Sequence, residues 1–295
     1  MDLSRAKMVL IITFLILNLF LLYQIVMDEG MYNPVLFGPR EEVSRLEKAM
    51  QEANLSLDIP LPRGGMSVAY LVVMPWQPVE EDVVAMLWQG LGNDTENGIF
   101  SSNDLLANAE SENNISRWRF GPYELFLSKE GPFQLHNAFK GLDPEKKESA
   151  AAEFMNRVSF LQDFVYDYKV AKHGKTAIYY HQEFEAFPLY AGYVEFDCGG
   201  EHEPGCEVYL YRLEPLGFGE QKREVIPPST ALWRFLDAYT ESEYSHDPMV
   251  IVEFSLGYYS EEYDAERWEI PPVWRIRLLN GEIFYINAFT GYLEN

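Results

Sequence analysis

The sequence predicts an α+β protein with an N-terminal transmembrane helix followed by an extracellular domain of antiparallel sheets with packed helices. Residues 8–27 form an uncharged stretch of transmembrane length. Segments with helical and two-residue hydrophobic periods alternate through the rest of the chain. The chain is 47% hydrophobic and 15% aromatic, which is typical of a folded domain. Two similar lobes, one per half, are compatible with this order, although no sequence repeat marks them.

The stretch 8–27, MVLIITFLILNLFLLYQIVM, is interrupted only by Thr13, Asn18 and Gln24. A helix of this length spans about 30 Å, the hydrocarbon thickness of a bilayer. A cleaved signal peptide is the alternative. We favour an uncleaved anchor because the apolar run exceeds the usual h-region and no small-residue cleavage site follows it.

The charges on both sides of this stretch predict its orientation. Arg5 and Lys7 precede it, whereas Asp28 and Glu29 follow it. Because basic residues stay on the cytoplasmic side, the N-terminus is expected inside the cell. The expected organisation is a cytoplasmic tail at 1–7, a transmembrane helix at 8–27, a Gly- and Pro-containing linker at 28–40, and an extracellular domain at 41–295.

The strongly acidic composition limits the classes of partner. The net charge is −23, and the two bases and one acid before residue 28 leave −24 for the rest. Such a domain repels nucleic acid, and it also repels an anionic membrane or wall polymer unless cations bridge them. We therefore predict no nucleic-acid partner, and we interpret the acidic runs as solvated surface.

Four segments carry the helical period of apolar residues. Acidic residues or prolines mark their starts, and Asp82 is predicted to cap the second helix. The predicted starts are Glu41, Asp82, Asp143 and Pro227. The apolar stripes contain Leu46 and Met50, Leu87 and Trp88, Phe154 and Val158, and Phe235 and Tyr239.

Runs of strand length lie between these helices. A continuous strand is predicted at 66–74, a loop at 92–114, and a hairpin around Gly121-Pro122. Further strands are predicted near Phe133 and at 164–170, 176–181, 192–197, 207–213 and 250–256. The chain ends in a hairpin of 273–278 and 282–287, in which Asn280-Gly281 predicts a type I′ turn.

Two cysteines lie close together in the sequence DCGGEHEPGCE. Outside the cell, a disulfide between Cys198 and Cys206 is the simplest account of this glycine-rich loop. A zinc site that includes His202 is a more specific hypothesis, but the sequence shows no evident fourth ligand for it. Free thiols are the third alternative.

No motif for catalysis, metal binding or cofactor binding stands out. The chain has no Gly-x-Ser-x-Gly, His-Glu-x-x-His, Ser-x-x-Lys or phosphate-binding glycine loop. His181 lies near Glu183 and Glu185, but residues at this spacing on a strand share a face and are more simply exposed. We therefore predict no enzymatic activity, no cofactor and no metal.

Several motifs resemble the YycI (WalI) family in their order along the chain. The N-terminal anchor is followed by EAFPLYAGYVEF, a helix with Ala231-Leu232, LGYYSEEY and PPVWRIRLLNGEIFYINAFTG. This resemblance covers nearly the whole chain, although the loop from Cys198 to Cys206 departs from the family pattern.

The resemblance implies a single-pass regulator of a Gram-positive bacterium. It implies action with a YycH-like membrane protein on a WalK-type sensor histidine kinase, and it implies no catalytic residues. The alternative is a membrane-anchored cell-wall enzyme or inhibitor. Because polar side chains in a membrane helix usually face protein, Thr13 and Gln24 on one side, with Asn18 about 140° away, are candidate contacts for partner helices.

Overall fold

The computed structural model describes residues 14, 17, 18, 40–62, 65–91, 109–112, 115–120, 123–128, 132–172, 174–199, 205–241, 248–261 and 265–294. Of the predicted transmembrane helix, only residues 14, 17 and 18 belong to this set, and they are helical. Among the described residues, no helix is both long and apolar enough to cross a membrane. The rest of the 8–27 prediction, the tail and nearly all of the linker lie outside the described residues.

All four predicted helices form, and each buries the apolar stripe that predicted it. Burying a large apolar side chain contributes about 1.5–3 kcal/mol, so these stripes fix each helix against the sheet. The helices are α1 (Arg40–Glu52), α2 (Glu80–Gly90), α3 (Pro144–Arg157) and α4 (Pro228–Glu241).

The strands hold more of the described residues than the helices do, and together they confirm the α+β class. They are β1 (Leu55–Leu57), β2 (Ser67–Val68), β3 (Leu71–Pro75), β4 (Ala109–Glu112), β5 (Ile115–Phe120), β6 (Tyr123–Ser128), β7 (Phe133–Ala138), β8 (Phe164–Lys172), β9 (Lys175–Phe184), β10 (Phe187–Cys198), β11 (Cys206–Tyr211), β12 (Leu213–Phe218), β13 (Arg223–Glu224), β14 (Met249–Tyr258), β15 (Trp268–Ile270), β16 (Pro272–Leu278), β17 (Ile283–Asn287) and β18 (Leu293–Glu294).

One large sheet runs in the order β18-β17-β16-β14-β10-β11-β7-β6-β5-β4, with β9 and β8 added beside β10 and β1 beside β14. Its described residues contribute to three hydrophobic clusters: the cores of two lobes, and a third in which Leu189 and Tyr258 pack against β3, β12 and β15. In the first lobe, α2 and α3 pack on the part from β4 to β11, with Phe154 and Phe196 at the centre. In the second lobe, α1 and α4 pack on β14, β16 and β17, with Phe235 and Trp274 at the centre.

Strand β10 belongs to both lobes. Its second half pairs with β11, whereas its first half meets β14 at the parallel pair of Leu189 and Tyr258. A register shift against β9 separates the halves, between Leu189 and Tyr193. There the side chain of Gln182 fills the space beside Gly192, where a Cβ atom would lie 2.3 Å from Oε1 of Gln182. Both lobes are thus joined through one continuous strand.

Three local predictions are wrong. Asp82 does not cap α2, because the helix begins at Glu80 and the backbone amide of Asp82 already donates to the carbonyl of Val79. The strand predicted at 66–74 is divided into β2 and β3, which pair with β13 and with β12 and β15 in two separate small sheets. The strand predicted at 207–213 is also divided, because β11 ends at Tyr211 and Leu213 begins β12 in another sheet. The region 92–114, predicted to be mostly loop, includes the short strand β4, which pairs with β5.

The final hairpin forms, but its turn is not type I′. That turn needs a positive φ at both central residues, and of this pair only Gly281 has one, at 90°. The amide of Gly281 donates to the carbonyl of Leu278 at 2.9 Å. The Asn280 side chain accepts the amide of Glu282 at 3.0 Å, which favours the longer loop.

Candidate functional site

The helix-free faces of the two lobes meet at a group of buried charges. Side chains alternate along a strand, so Trp274 and Ile276 of β16 enter the second core while Arg275 and Arg277 face the opposite side. There they meet Asp167 from β8 of the first lobe. The arginine cluster is defined here as Asp167, His181, Glu253, Arg275 and Arg277.

A β-bulge brings Asp167 into this cluster. Tyr166 lies opposite Tyr180 and Tyr168 lies opposite Tyr179, so Asp167 is an extra residue in β8. A bulge inserts one residue and redirects the side chains that follow. The ladder is therefore interrupted at the residue that reaches the second lobe.

Ion pairs between these side chains link the two lobes and neutralise the buried charges. Nη1 of Arg275 lies 2.7 Å from Oδ2 of Asp167 and 3.6 Å from Oε1 of Glu253. Nε of Arg277 lies 2.8 Å from Oε2 of Glu253. The side chain of Arg275 is only 1% exposed and that of Asp167 only 10% exposed. Because buried charges need partners, each group depends on the others.

Tyrosine rings enclose the guanidinium of Arg275. Its Cζ lies 4.4 Å from the ring centroid of Tyr190 and 5.5 Å from that of Tyr168. Burial raises the pKa of both tyrosines to about 12, so they stay neutral at physiological pH. The Tyr190 hydroxyl is also hydrogen-bonded to the Ser255 hydroxyl at 2.8 Å. The rings exclude water and strengthen the electrostatic contacts between the lobes.

The surroundings keep Asp167 ionised. Burial raises the pKa of its carboxyl group, but His181 and Arg275 outweigh burial and lower the pKa below its ordinary value. Burial acts in the opposite sense on Arg275, and neighbouring acidic groups and tyrosines still raise the pKa of its guanidinium. The Asp167–Arg275 contact is therefore a true ion pair at neutral pH.

Hydrogen bonding in the cluster is incomplete. Within the described residues, Nε and Nη1 of Arg275 and Nδ1 of His181 are buried without a hydrogen bond of good geometry. His181 Nδ1 lies 3.5 Å from the Asp167 carboxylate, which Arg275 already holds. These groups bind one another, an arrangement that suits coupling between lobes better than proton transfer. In the described part of the chain, no group of three or more His, Cys, Asp or Glu residues is placed to hold a metal ion.

The sequence-predicted residues lie elsewhere. Cys198 and Cys206 face each other on β10 and β11, and their sulfurs are joined at 2.00 Å. The side-chain amide of Asn18 donates to the carbonyl of Phe14 at 2.8 Å, one helical turn earlier. Thr13, Gln24 and His202 lie outside the described residues.

The arginine cluster escaped the sequence analysis. The alternation of Trp274-Arg275-Ile276-Arg277 was the available signal, since it places two arginines on one strand face. Nothing in the sequence showed that another strand would cover that face.

The fold and the cluster together define a sheet-rich protein whose two lobes bind each other through buried charges. The chain matches the family model described as YycI protein over residues 39–289. It therefore belongs to the YycI family, which confirms the resemblance seen in the sequence.

Two solved structures are remotely similar to the chain. An uncharacterized protein from Eubacterium rectale ATCC 33656 aligns with 12% identity and a TM-score of 0.49, covering 82% of this chain and 91% of that one. The C-terminal domain of Bacillus megaterium YpeB aligns with 11% identity and a TM-score of 0.38, covering 75% and 97%. Neither similarity supports an inference about function. No curated protein matches the chain.

Proposed function

We propose that this protein is a membrane-anchored, non-enzymatic regulator of a WalK-type sensor histidine kinase, acting together with a YycH-like membrane protein. The observation that carries the proposal is the family match over residues 39–289. Membership of the YycI family implies regulation of the WalK/WalR two-component system.

The expected topology is a single membrane pass with the N-terminus in the cytoplasm and the sheet domain outside the cell. The charges around the apolar stretch 8–27 support this orientation. Contact with partner helices is proposed through Thr13, Asn18 and Gln24. The bond of Asn18 to its own helix leaves Oδ1 as an acceptor for another helix.

The arginine cluster fits regulation by contact. A buried ion pair is not an efficient source of stability, because desolvation offsets much of its attraction. It does require a defined geometry, so it couples the position of β8 in the first lobe to β14 and β16 in the second. A partner bound to either lobe would thereby influence the other.

Affinity purification from detergent-solubilised membranes tests the proposal. The tagged chain should recover a sensor histidine kinase and a second single-pass protein, identified by mass spectrometry, and deletion of its gene should change kinase output. An unrelated single-pass protein with the same tag is the control. Recovery of neither partner, together with wall-hydrolase activity or its inhibition by the purified chain, would favour the alternative of a cell-wall enzyme or inhibitor.

A further inference from the structure

Strand β8 has a free side. In the part of the chain that the structure describes, it pairs with β9 alone over nine residues. Val165 is 36% exposed and Tyr166 is 50% exposed. An edge strand presents unpaired backbone N–H and C=O groups, which are a template for one more strand.

A groove of about 380 Å³ lies beside this strand, between β8 and α3. Its lining includes the apolar Met155 and Phe164, the tyrosines Tyr166 of β8 and Tyr180 of β9, and the polar Glu148. Side chains of an added strand would alternate between this groove and the opposite face. The β8 edge is defined here as this strand together with the groove.

The charge of this region differs from that of the rest of the protein. Residues 144–175 contain six basic and five acidic residues, a net charge of +1, so the remainder carries −24. Asp163 and Asp167 are paired with Arg212 and Arg275. Bases of this range are also paired: Lys146 with Asp143, Arg157 with Glu153 and Lys175 with Asp197. Lys169 of β8 is half exposed and pairs with Glu148 at 2.7 Å. An anionic segment would therefore meet less repulsion at Lys169 than on the acidic remainder of the chain.

We propose that the β8 edge docks an extended, acidic segment of a partner protein, which adds a strand to β8 and places an apolar side chain in the groove. This rests on the proposed function and names the surface through which a partner is held. A carboxylate of the segment would take Lys169 from Glu148. A lysine and a bulge on an edge strand disfavour pairing with arbitrary strands. The need for a carboxylate that pairs with Lys169 therefore makes docking specific.

A second copy of this chain fits the β8 edge less well. Pairing of β8 with β8 would bring together two chains of net charge −23 and two edges that both carry Lys169. Like charges across paired strands are destabilising. The partner segment should instead contribute acidic residues without an adjacent basic edge.

The position of the bulge links docking at β8 to the contact between the lobes. Asp167 lies in the middle of β8 and binds Arg275 of the second lobe. A strand added along β8 would order the backbone on both sides of this residue. Docking on the first lobe is thus coupled to the arginine cluster.

Binding of synthetic peptides to the full chain in detergent tests the inference. The probe is a peptide of β8 length with alternating Glu and Val residues and a central Tyr. One control peptide carries Lys in place of Glu, and a second carries N-methyl groups along one edge. The acidic peptide should bind, should slow amide exchange at 164–172, and should weaken with salt. The Lys169→Glu variant should weaken it about tenfold or more. Lys146→Glu, an equal charge change at an exposed position of α3 paired with Asp143, should not.

Equal binding of the acidic and basic peptides, unchanged exchange in β8, or indifference to Lys169→Glu would overturn the inference. So would protection of β8 that rises with the concentration of the chain alone, since that would assign the edge to a second copy. The proposed function is tested separately: a wild-type chain that recovers the kinase but binds no acidic peptide at β8 refutes this inference only. A chain that recovers neither partner refutes the proposed function.

Discussion

Replacing Arg275 with Met should show how much the lobes depend on the arginine cluster. The change keeps most of the side-chain volume but removes the positive charge 2.7 Å from Asp167 and 3.6 Å from Glu253. Asp167, at 10% exposure, would be left with His181 alone, whereas Glu253 would keep Arg277. Removing one partner of a buried pair typically costs about 3–5 kcal/mol, and we expect about 3 kcal/mol because one acid keeps its partner.

Urea unfolding of the full chain in detergent, followed by tryptophan fluorescence and by hydrogen exchange of each lobe, measures this effect. The comparison variant is Arg277→Met, whose side chain is 18% exposed beside a Glu253 that is 21% exposed and whose Cζ lies 4.5 Å from the ring centroid of Tyr168. Water can reach this pair, so its loss should cost about 1 kcal/mol. Exchange in β8 and β9 should rise more than exchange in α4, because the first lobe loses its contact with β16.

The double variant Asp167→Asn with Arg275→Met completes the cycle. With the buried charge removed on both sides, its cost should fall at least 1 kcal/mol short of the sum of the single variants. Strict additivity would refute the view that Asp167 and Arg275 couple the lobes.

Three further predictions concern other parts of the protein. Replacing Cys198 and Cys206 with Ser should lower the free energy of unfolding by about 2–3 kcal/mol because the closed loop is short; two free thiols by mass spectrometry of surface protein would contradict the disulfide. The lowered pKa of Asp167 contributes stability that is present above about pH 4 and is lost as the pH falls toward the folded pKa. Asp167→Asn should therefore reduce the fall in the free energy of unfolding below that pH. An unchanged pH dependence of unfolding in this variant would contradict the prediction. Asn18→Leu should weaken co-purification of one partner several-fold without changing membrane insertion. Partner recovery equal to that of the wild type would show that Asn18 does not contribute to partner binding.

The sequence predicted best those elements whose signal is local and long. The helix stripe of Leu232, Phe235 and Tyr239 repeats over several turns, and the structure buries all three residues. The Asn280-Gly281 pair correctly predicted a hairpin, but the predicted turn type was wrong. The Asn280 side chain binds the following backbone, a choice that pairwise turn preferences do not capture.

The candidate site could not be predicted for a different reason. Its contacts join β8 to β16, strands that are about a hundred residues apart in the chain and belong to different lobes. Moreover, Asp167 points toward Arg275 only because a bulge interrupts the alternation of β8. A strict two-residue period therefore gives no reason to place these two side chains together.

Strand β10 gives the molecule a mechanical property. A pull applied between the second lobe, which follows the predicted membrane anchor, and a partner on the first lobe would pass lengthwise along this strand. Its hydrogen bonds to β9 and β11 run across that direction, so they would be loaded together in shear and not opened one after another. Tension between the lobes would therefore meet the combined resistance of these hydrogen bonds.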